Sequence, residues 1–320
     1  MSKRSYLILT GGLGNQLFGI AAALHFQTHL NHTIILDCVH GKLRQNILGR
    51  PEVFSMAPSL HQNLQIENTT FVQYRSFNYL LRQTGHDIQS RRFAKQIIQR
   101  LTESVITQRF KDTESVFLDK VNRINEINQS CGYVFIGYFQ NQDFFTTEGF
   151  AQRQLYEVTQ PPRPFGDYWG RVSEVAKPLI VHVRRDDYIQ ESFGLLSKRY
   201  YSDQLEKIKS ISSFKEVWIF TDDEKSASKV YPKVSDRPIR VFKKSDYTPS
   251  ETIQIMRFGE AFVIANSSFS YWAAMLRHKI EAPVIAPTPW FQEGDAPVNL
   301  IPNSWIKSKA YWDAHSVEHI

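Results

Sequence analysis

The 320-residue sequence has only two cysteines, Cys38 and Cys131, which is too few for a disulfide framework or a cysteine-built zinc site. Residues 5–36 carry no charged side chain, but their first apolar run, at 6–9, is broken by glycines and then by polar residues. A secretory leader needs about 7–15 uninterrupted apolar residues and a membrane-spanning helix about 20. We therefore predict neither and expect a cytoplasmic protein.

Acidic residues are in the minority: the sequence has 32 Asp and Glu and 38 Lys and Arg, which gives a net charge of +6. Such an excess favours anionic partners, among them nucleotide sugars, acidic glycans, membrane surfaces and nucleic acid. Much of the basic excess lies in residues 82–123. This segment is interpreted either as a solvated helical face or as a peripheral contact with a membrane surface. No nucleic-acid partner is expected, because no arginine- and aromatic-patterned motif occurs there.

Short apolar runs alternate with stretches of helical periodicity, which predicts parallel β-α-β units and an α/β fold. Residues 39–132 have weak periodicity and are interpreted as helices and long loops. Strands are predicted at 5–10, 33–38, 133–139, 179–183, 217–220, 239–242, 261–265 and 283–286. Helices are predicted at 16–30, 199–209, 250–258 and 270–278.

A stretch rich in proline and glycine, residues 161–170, separates two series of these elements and is typical of a linker. We predict an N-terminal α/β domain of residues 1–165 and a second, Rossmann-like domain of residues 172–290. Residues 291–320 are expected to form a C-terminal extension that packs back on the first domain.

The first candidate block is Gly-Gly-Leu-Gly-Asn-Gln-Leu-Phe, residues 11–18, between a predicted strand and a predicted helix. Glycines there allow a tight turn and let backbone amides approach an anion, and Asn15 can project its amide into the same crevice. A dinucleotide fingerprint would need glycine where Leu17 stands, although Asp37 lies where such folds place a ribose-binding acid. A phosphate-binding turn, a nicotinamide site and a purely structural turn all stay open.

The second block, His-Val-Arg-Arg-Asp-Asp-Tyr at residues 182–188, directly follows an apolar strand. Ligands of open α/β sheets bind beyond the carboxyl ends of the strands, and arginine forks suit phosphate oxygens. Because neighbours on a strand point to opposite sides, we expect one of Arg184 and Arg185 to face a ligand and the other to be held structurally. The alternative is that both pair with acids such as Asp186 and Asp187.

The third block is Phe-Thr-Asp-Asp, residues 220–223, at the end of another predicted strand. An aspartate in this position can accept hydrogen bonds from the N1–H and amine of guanine or from ribose hydroxyls. Asp223 can equally cap the helix that follows, so Asp222 is the better candidate for ligand contact.

The fourth block is Ala-Asn-Ser-Ser-Phe-Ser-Tyr-Trp, residues 265–272, where a predicted strand leads into a helix. Ser267, Ser268 and the first amides of the helix are suited to hold a diphosphate. Capping of the helix by Ser268 or Ser270 is the structural alternative.

Together, the four blocks resemble the α-1,2-fucosyltransferase family over residues 11–274, with its His-x-Arg-Arg-x-Asp signature carried by His182, Arg184, Arg185 and Asp187. α-1,6- and protein O-fucosyltransferases share this signature more loosely, and the opening glycine block favours the α-1,2 branch. Relatives usually have glycine before the final acid of the signature, where this sequence has a second aspartate.

The resemblance implies an inverting GT-B enzyme, with two Rossmann-like domains facing across a cleft and the first domain on the acceptor side. It would transfer L-fucose from GDP-β-L-fucose to O2 of a terminal galactose in an oligosaccharide or surface polysaccharide. Arg184 would bind the β-phosphate and stabilise departing GDP, and Arg185 would support donor binding. The base that deprotonates the acceptor stays open among Asp187, which could instead be a structural acid, His182, carboxylates of the first domain and the donor phosphate. The other donor-binding residues that the resemblance implies are Gly14, Asn15, His182, Asp222, Ser267, Ser268 and Phe269.

No Asp-x-Asp pair occurs, which is the usual carboxylate set for a divalent metal in the other glycosyltransferase architecture. We therefore expect no metal and no other cofactor, with Arg184 neutralising the diphosphate instead. The open alternatives are a fucosyltransferase of α-1,6 or protein O-linked type, a nicotinamide-dependent dehydrogenase and a non-catalytic relative that binds nucleotide or glycan. Leu17 and the arginine pair disfavour the dehydrogenase.

Overall fold

The structure is a computed structural model that describes residues 4–9, 11–37, 52–60, 64–67, 113–117, 132–136, 138–146, 150–186, 188, 193–231, 234–293, 297 and 299–313. These residues form two compact units. Unit 1 comprises Met1–Phe139 and Asp143–Gln154, and unit 2 comprises Gln140–Gln142 and Leu155–Ile320. Asp187, both cysteines and nearly all of the basic segment 82–123 lie outside the described residues.

Unit 1 contains a five-stranded sheet in the order β3-β2-β1-β5-β4, with every described pair parallel. Its strands are β1 (Arg4–Ile8), β2 (Thr33–Asp37), β3 (Gln65–Glu67), β4 (Thr113–Phe117) and β5 (Gly132–Ile136). Its helices are α1 (Leu13–Leu30), α2 (Glu52–Met56) and α3 (Asp143–Thr146), and α4 (Phe150–Val158) leads into unit 2. The helix predicted at 16–30 lies within α1, which is buried along most of its length.

Unit 2 contains a six-stranded parallel sheet in the order β11-β10-β9-β6-β7-β8. Its strands are β6 (Pro178–Val183), β7 (Glu216–Thr221), β8 (Ile239–Lys243), β9 (Ala261–Val263), β10 (Val284–Thr288) and β11 (Ile306–Lys309). Its helices are α5 (Arg163–Ala176), α6 (Lys198–Ile211), α7 (Glu224–Ala227), α8 (Pro249–Met256) and α9 (Ser268–Met275). The chain runs outward from β6 to β8 and returns to β9 on the other side of β6, which is the Rossmann strand order.

Strand β6 shows why this sheet forms where the sequence predicts it. All six of its residues are buried, as expected for a central parallel strand covered on both faces. Leu179, Val181 and Val183 point to the side of the sheet covered by α6, whose buried residues Tyr201, Leu205 and Ile208 recur at helical spacing. Ile180 and His182 consequently belong to the opposite face.

Two predictions about domain organisation are wrong. The proline- and glycine-rich stretch is no linker, because α5 begins at Arg163 with Pro162 as its N-cap and a proline in its first turn, where no amide donor is needed. The division between the units falls at Gln154 and Leu155.

The C-terminal extension also differs from the prediction. Its strand β11 pairs in parallel with β10, from Ile285 opposite Ile306 to Thr288 opposite Lys309, and extends the sheet of unit 2. Residues 291–320 therefore belong to unit 2. The weakly periodic segment 39–132 contains the short strands β3 and β4, which the sequence did not predict.

Candidate active site

The carboxyl ends of β7, β6 and β9 bring three of the four sequence blocks to one edge of the sheet in unit 2. Strand β6 pairs with β7 on one side, His182 opposite Phe220, and with β9 on the other, Val181 opposite Val263. The strand order reverses between β6 and β9, and ligands of open α/β sheets bind at such a switch point. The second, third and fourth blocks therefore meet where this fold places a ligand.

Arg184 and Asp222 form an ion pair at this edge. Arg184 Nε lies 3.1 Å from Asp222 Oδ2, and the side chains are 25% and 6% exposed. The other carboxylate oxygen of Asp222 accepts the backbone N–H of Arg185 at 2.8 Å. Burial raises the pKa of Asp222, while the Arg184 charge and the Arg185 N–H oppose that rise. The result is a partly exposed guanidinium oriented by a buried carboxylate.

Arg185 occupies the inside of unit 2. Its side chain is 3% exposed, Nη2 donates to the carbonyl of Leu196 at 2.8 Å, and Nη1 lies 3.2 Å from Asp313 Oδ2. The two arginines thus separate as the strand alternation predicts, with one partly exposed and the other held structurally. Direct donor binding by Arg185 is not supported, because its guanidinium is buried and two of its nitrogens are engaged by Leu196 and Asp313.

His182 is a buried, neutral imidazole beside this pair. It is 4% exposed, and burial, with a further contribution from the Arg184 charge, lowers its pKa to about 3. Its ring lies 5.9 Å from that of Phe269. Among the described residues, no group hydrogen-bonds to Nδ1. A histidine with so low a pKa is uncharged at neutral pH and is a poor general base there.

The N-terminus of α9 forms the other side of the switch point. Ser267, 4% exposed, is the N-cap, and its hydroxyl accepts the N–H of Phe269 at 3.3 Å. The alternative that Ser268 or Ser270 caps the helix is therefore incorrect. Ser270 is fully buried, with its hydroxyl directed to the carbonyls of Ala265 and Ser267. Ser268 is half-buried in the first turn, and the backbone N–H groups of that turn give this end a positive potential.

The two aspartates next to the ion pair have structural partners. Asp223 caps α7 by accepting the N–H of Ser226 at 3.2 Å, and its hydrogen bonds with Ser226 lower its pKa. Asp186, which replaces the usual glycine, is paired with Lys244 Nζ at 2.7 Å, and both side chains are exposed. An open cavity of about 550 Å³ lies at this end of the sheet. It is lined by Asp186, Asp222, Asp223, Glu224, Lys225, Lys243, Lys244 and Ser245.

In unit 1, the glycine-rich block forms the turn from β1 into α1. Gly11 has φ +79°, and a Cβ at this position would lie 2.8 Å from Asn15 Nδ2, so both backbone and space require glycine. Gln16, which the sequence did not single out, fixes the turn: its Nε2 donates to the Gly11 carbonyl and its Oε1 accepts the N–H of Val53. Gly14 is buried and Asn15 is half-buried in the first turn of α1.

A further contact network at the switch point was missed from the sequence. The Arg184 guanidinium carbon lies 5.3 Å from the centre of the Tyr188 ring, and the Tyr188 hydroxyl donates to the Asn266 carbonyl at 3.0 Å. Asn266 Nδ2 in turn donates to the carbonyls of Phe193 and Gly194. Tyr188 is the last residue of the second block, but no spacing rule connects it to a carbonyl 78 residues away.

In parallel α/β folds, a switch point with an arginine and a helix N-terminus is suited to binding phosphorylated ligands. The model of glycosyl transferase family 11 matches residues 5–295, and the chain belongs to this family. It is therefore a glycosyltransferase, and its α/β fold with parallel sheets is confirmed.

Two proteins of Escherichia coli are similar over almost their whole length. An α-1,2-colitosyltransferase is 25% identical over 315 residues, covering 93% of this chain and 97% of that protein. The O-antigen biosynthesis glycosyltransferase WbnK is 23% identical over 321 residues, covering 94% of this chain and 99% of that protein.

Solved structures show lower similarity. NodZ α-1,6-fucosyltransferase co-crystallized with GDP is 15% identical with a TM-score of 0.44, covering 86% of this chain and 93% of that one. A family 9 glycosyl transferase of Veillonella parvula is 9% identical with a TM-score of 0.49, covering 96% and 86%. Within the described ranges, no helix is long and apolar enough to cross a membrane, and no group of three or more acidic, histidine or cysteine side chains could hold a metal ion.

Proposed function

We propose that this glycosyltransferase transfers L-fucose from GDP-β-L-fucose to O2 of a terminal galactose in an oligosaccharide or surface polysaccharide. The observation that carries the proposal is the partly exposed Arg184, oriented by Asp222 at the switch point of a family 11 member. The names of both E. coli relatives are compatible with such a reaction, since one is an α-1,2-transferase of colitose and the other acts in O-antigen biosynthesis.

The proposed donor site lies around the switch point of unit 2. Arg184 binds the β-phosphate, and the N-terminus of α9 with Ser267 and Ser268 faces the diphosphate. Capping engages a lone pair of the Ser267 oxygen, so its O–H can still donate. Neutral His182 and Phe269 line the nucleotide side.

The proposed reaction is a single inverting displacement. The acceptor oxygen attacks C1 of the sugar while the bond from C1 to the phosphate oxygen breaks, and the electron pair stays on the β-phosphate. A fixed guanidinium lowers this barrier because negative charge grows on the leaving group in the transition state. Arg184 thereby supplies without a metal the charge compensation that a divalent cation gives in other glycosyltransferases. The acceptor hydroxyl gives up its proton as it attacks, and Asp187 is the base in this proposal, ahead of His182, whose lowered pKa makes it a weak base at neutral pH.

Colitosyl transfer is the second candidate, and the 25% identical α-1,2-colitosyltransferase favours it. Colitose lacks the 3-hydroxyl group of fucose. A site that hydrogen-bonds this hydroxyl discriminates strongly against the deoxy sugar, whereas a site that leaves it unbound does not. Parallel assays with both GDP-sugars decide between the two donors.

The decisive experiment incubates the purified protein with GDP-fucose, a β-galactoside and excess chelator, and determines the linkage of the product by NMR. We expect fucose in α-linkage on O2 of galactose. Calorimetry with chelator present should show binding of GDP but not of NAD. Product linked elsewhere, transfer only after a divalent metal is added, or binding of NAD instead of GDP would each contradict the corresponding part of the proposal.

Two further parts of the proposal concern residues outside unit 2. The family resemblance implies Gly14 and Asn15 as donor-binding residues, and Asn15→Ala is expected to raise KM for GDP-fucose. The basic segment 82–123 gives peripheral contact with the inner, anionic face of a membrane. Co-sedimentation with phosphatidylglycerol vesicles, but not with phosphatidylcholine vesicles, tests this contact.

A further inference from the structure

Tyr188 ends the block that contains Arg184 and has no part in the function proposed above. Its half-buried ring lies against the Arg184 guanidinium, 5.3 Å from ring centre to Cζ. A guanidinium over a tyrosine face is attracted by the ring electrons, and the contact restricts the plane of the guanidinium. Arg184 is thus held by the Asp222 carboxylate at Nε and by the Tyr188 ring.

The ring itself is fixed from both sides of the switch point. The Tyr188 hydroxyl donates to the Asn266 carbonyl, just beyond β9, and its backbone N–H donates at 2.9 Å to the Arg185 carbonyl, just beyond β6. Asn266 is 1% exposed, and its side chain donates to the carbonyls of Phe193 at 3.1 Å and Gly194 at 3.2 Å. These bonds leave the ring little freedom to turn away from the guanidinium.

Gly194, one of the two residues whose carbonyls accept hydrogen bonds from Asn266, is closely packed. It has φ +84°, and a Cβ at this position would lie 2.8 Å from Trp312 Cε3. Only glycine combines this backbone conformation with such a close approach. A larger residue at position 194 would therefore displace the chain that receives the Asn266 hydrogen bonds.

We propose that Tyr188 is a positioning residue for glycosyl transfer, which holds the Arg184 guanidinium in the plane that meets the leaving diphosphate. The inference rests on the proposed function, because it acts through Arg184. Tyr188 touches neither substrate in this proposal. Its ring, rather than its hydroxyl, makes the contact with Arg184.

The test compares kcat for three variants in the GDP-fucose assay. Tyr188→Leu removes the ring and is expected to lower kcat about tenfold, with KM for the galactoside unchanged. Tyr188→Phe keeps the ring but loses the hydrogen bond to the Asn266 carbonyl, so its kcat is expected to lie between those of the wild type and Tyr188→Leu. The matched control is Tyr231→Leu, because Tyr231 is another partly buried tyrosine that packs against the core of unit 2. Tyr188→Met supplies a second ring-free variant if Tyr188→Leu does not fold.

A double-mutant cycle in GDP affinity separates positioning from packing. In the Arg184→Lys background, which has no planar guanidinium, Tyr188→Leu should weaken GDP binding much less than in the wild type. Equal losses in both backgrounds, or a kcat of Tyr188→Leu equal to that of Tyr188→Phe, would overturn the role of Tyr188. Failure of the wild-type enzyme to use GDP-fucose would instead contradict the proposed function.

Discussion

Replacing Asp222 by asparagine should separate activity from stability. Asp222 Oδ1 accepts the Arg185 N–H at 2.8 Å, and an asparagine carbonyl oxygen can accept the same hydrogen bond. The substitution therefore keeps the chain after β6 in place and removes the charge that pairs with Arg184. Because burial raises the pKa of Asp222 despite that pair, the ionised carboxylate is not a net electrostatic stabiliser of the fold.

We expect Asp222→Asn to change the free energy of unfolding by less than about 1 kcal/mol, because the Arg184 side chain is 25% exposed and stays solvated when its partner loses its charge. Losing the charged contact that orients Arg184 should cost about 1.5–3 kcal/mol in the transition state, which lowers kcat about 10- to 100-fold. Urea unfolding and steady-state transfer measure the two effects. Asp203→Asn is the matched control, because Asp203 is half-exposed and pairs with Arg199 on the surface of α6. Strong destabilisation with unchanged kcat would refute the reasoning.

The remaining predictions concern two buried basic side chains. The pKa of His182 is about 3 in the folded protein, against an ordinary value of 6.5. As the pH falls from 6.5 to 3, the unfolded chain takes up a proton at this side chain and the folded protein does not, so the free energy of unfolding decreases. The pH dependence of unfolding should therefore be shallower in His182→Gln by up to about 1.4 kcal/mol per pH unit, and identical slopes would contradict the assignment of a neutral buried imidazole. Arg257 is fully buried, with its guanidinium donating at 2.6 Å to the carbonyls of Thr159 and Leu276. Arg257→Met leaves both carbonyls without this donor and should cost about 2–4 kcal/mol in urea unfolding, against less than about 0.5 kcal/mol for the exposed Arg199→Met.

The α/β fold could be predicted because the central strands and helices carry strong patterns. Strand β6 is a continuous apolar run, and α6 repeats its buried residues at helical spacing. Strand β3, with three residues, and β11, which alternates between half-buried and exposed positions, carry no comparable pattern. Helix α5 was missed because prolines mark the start of a helix as well as a linker.

The sequence predicts which residues lie at the ligand edge of the sheet, because they follow apolar strands, but it does not predict the contacts between them. Arg184 and Asp222 each follow an apolar strand, so both were expected at the ligand edge, but their 3.1 Å contact depends on the register of β6 with β7. The partners of Arg185 and Tyr188 lie up to 128 residues away in sequence. Several of these partners are backbone carbonyls, which every residue possesses, so no sequence pattern marks them.

The central claim is that the Arg184 guanidinium stabilises the leaving diphosphate, and Arg184→Lys tests it most directly. The measurement is kcat for fucose transfer in the presence of chelator, with Arg199→Lys as the control because Arg199 is an exposed arginine paired with Asp203 in the same unit. We predict a loss of about 100- to 1,000-fold for Arg184→Lys with an unchanged unfolding transition, and wild-type activity for Arg199→Lys. A folded Arg184→Lys enzyme that works within a few-fold of the wild type would contradict the claim.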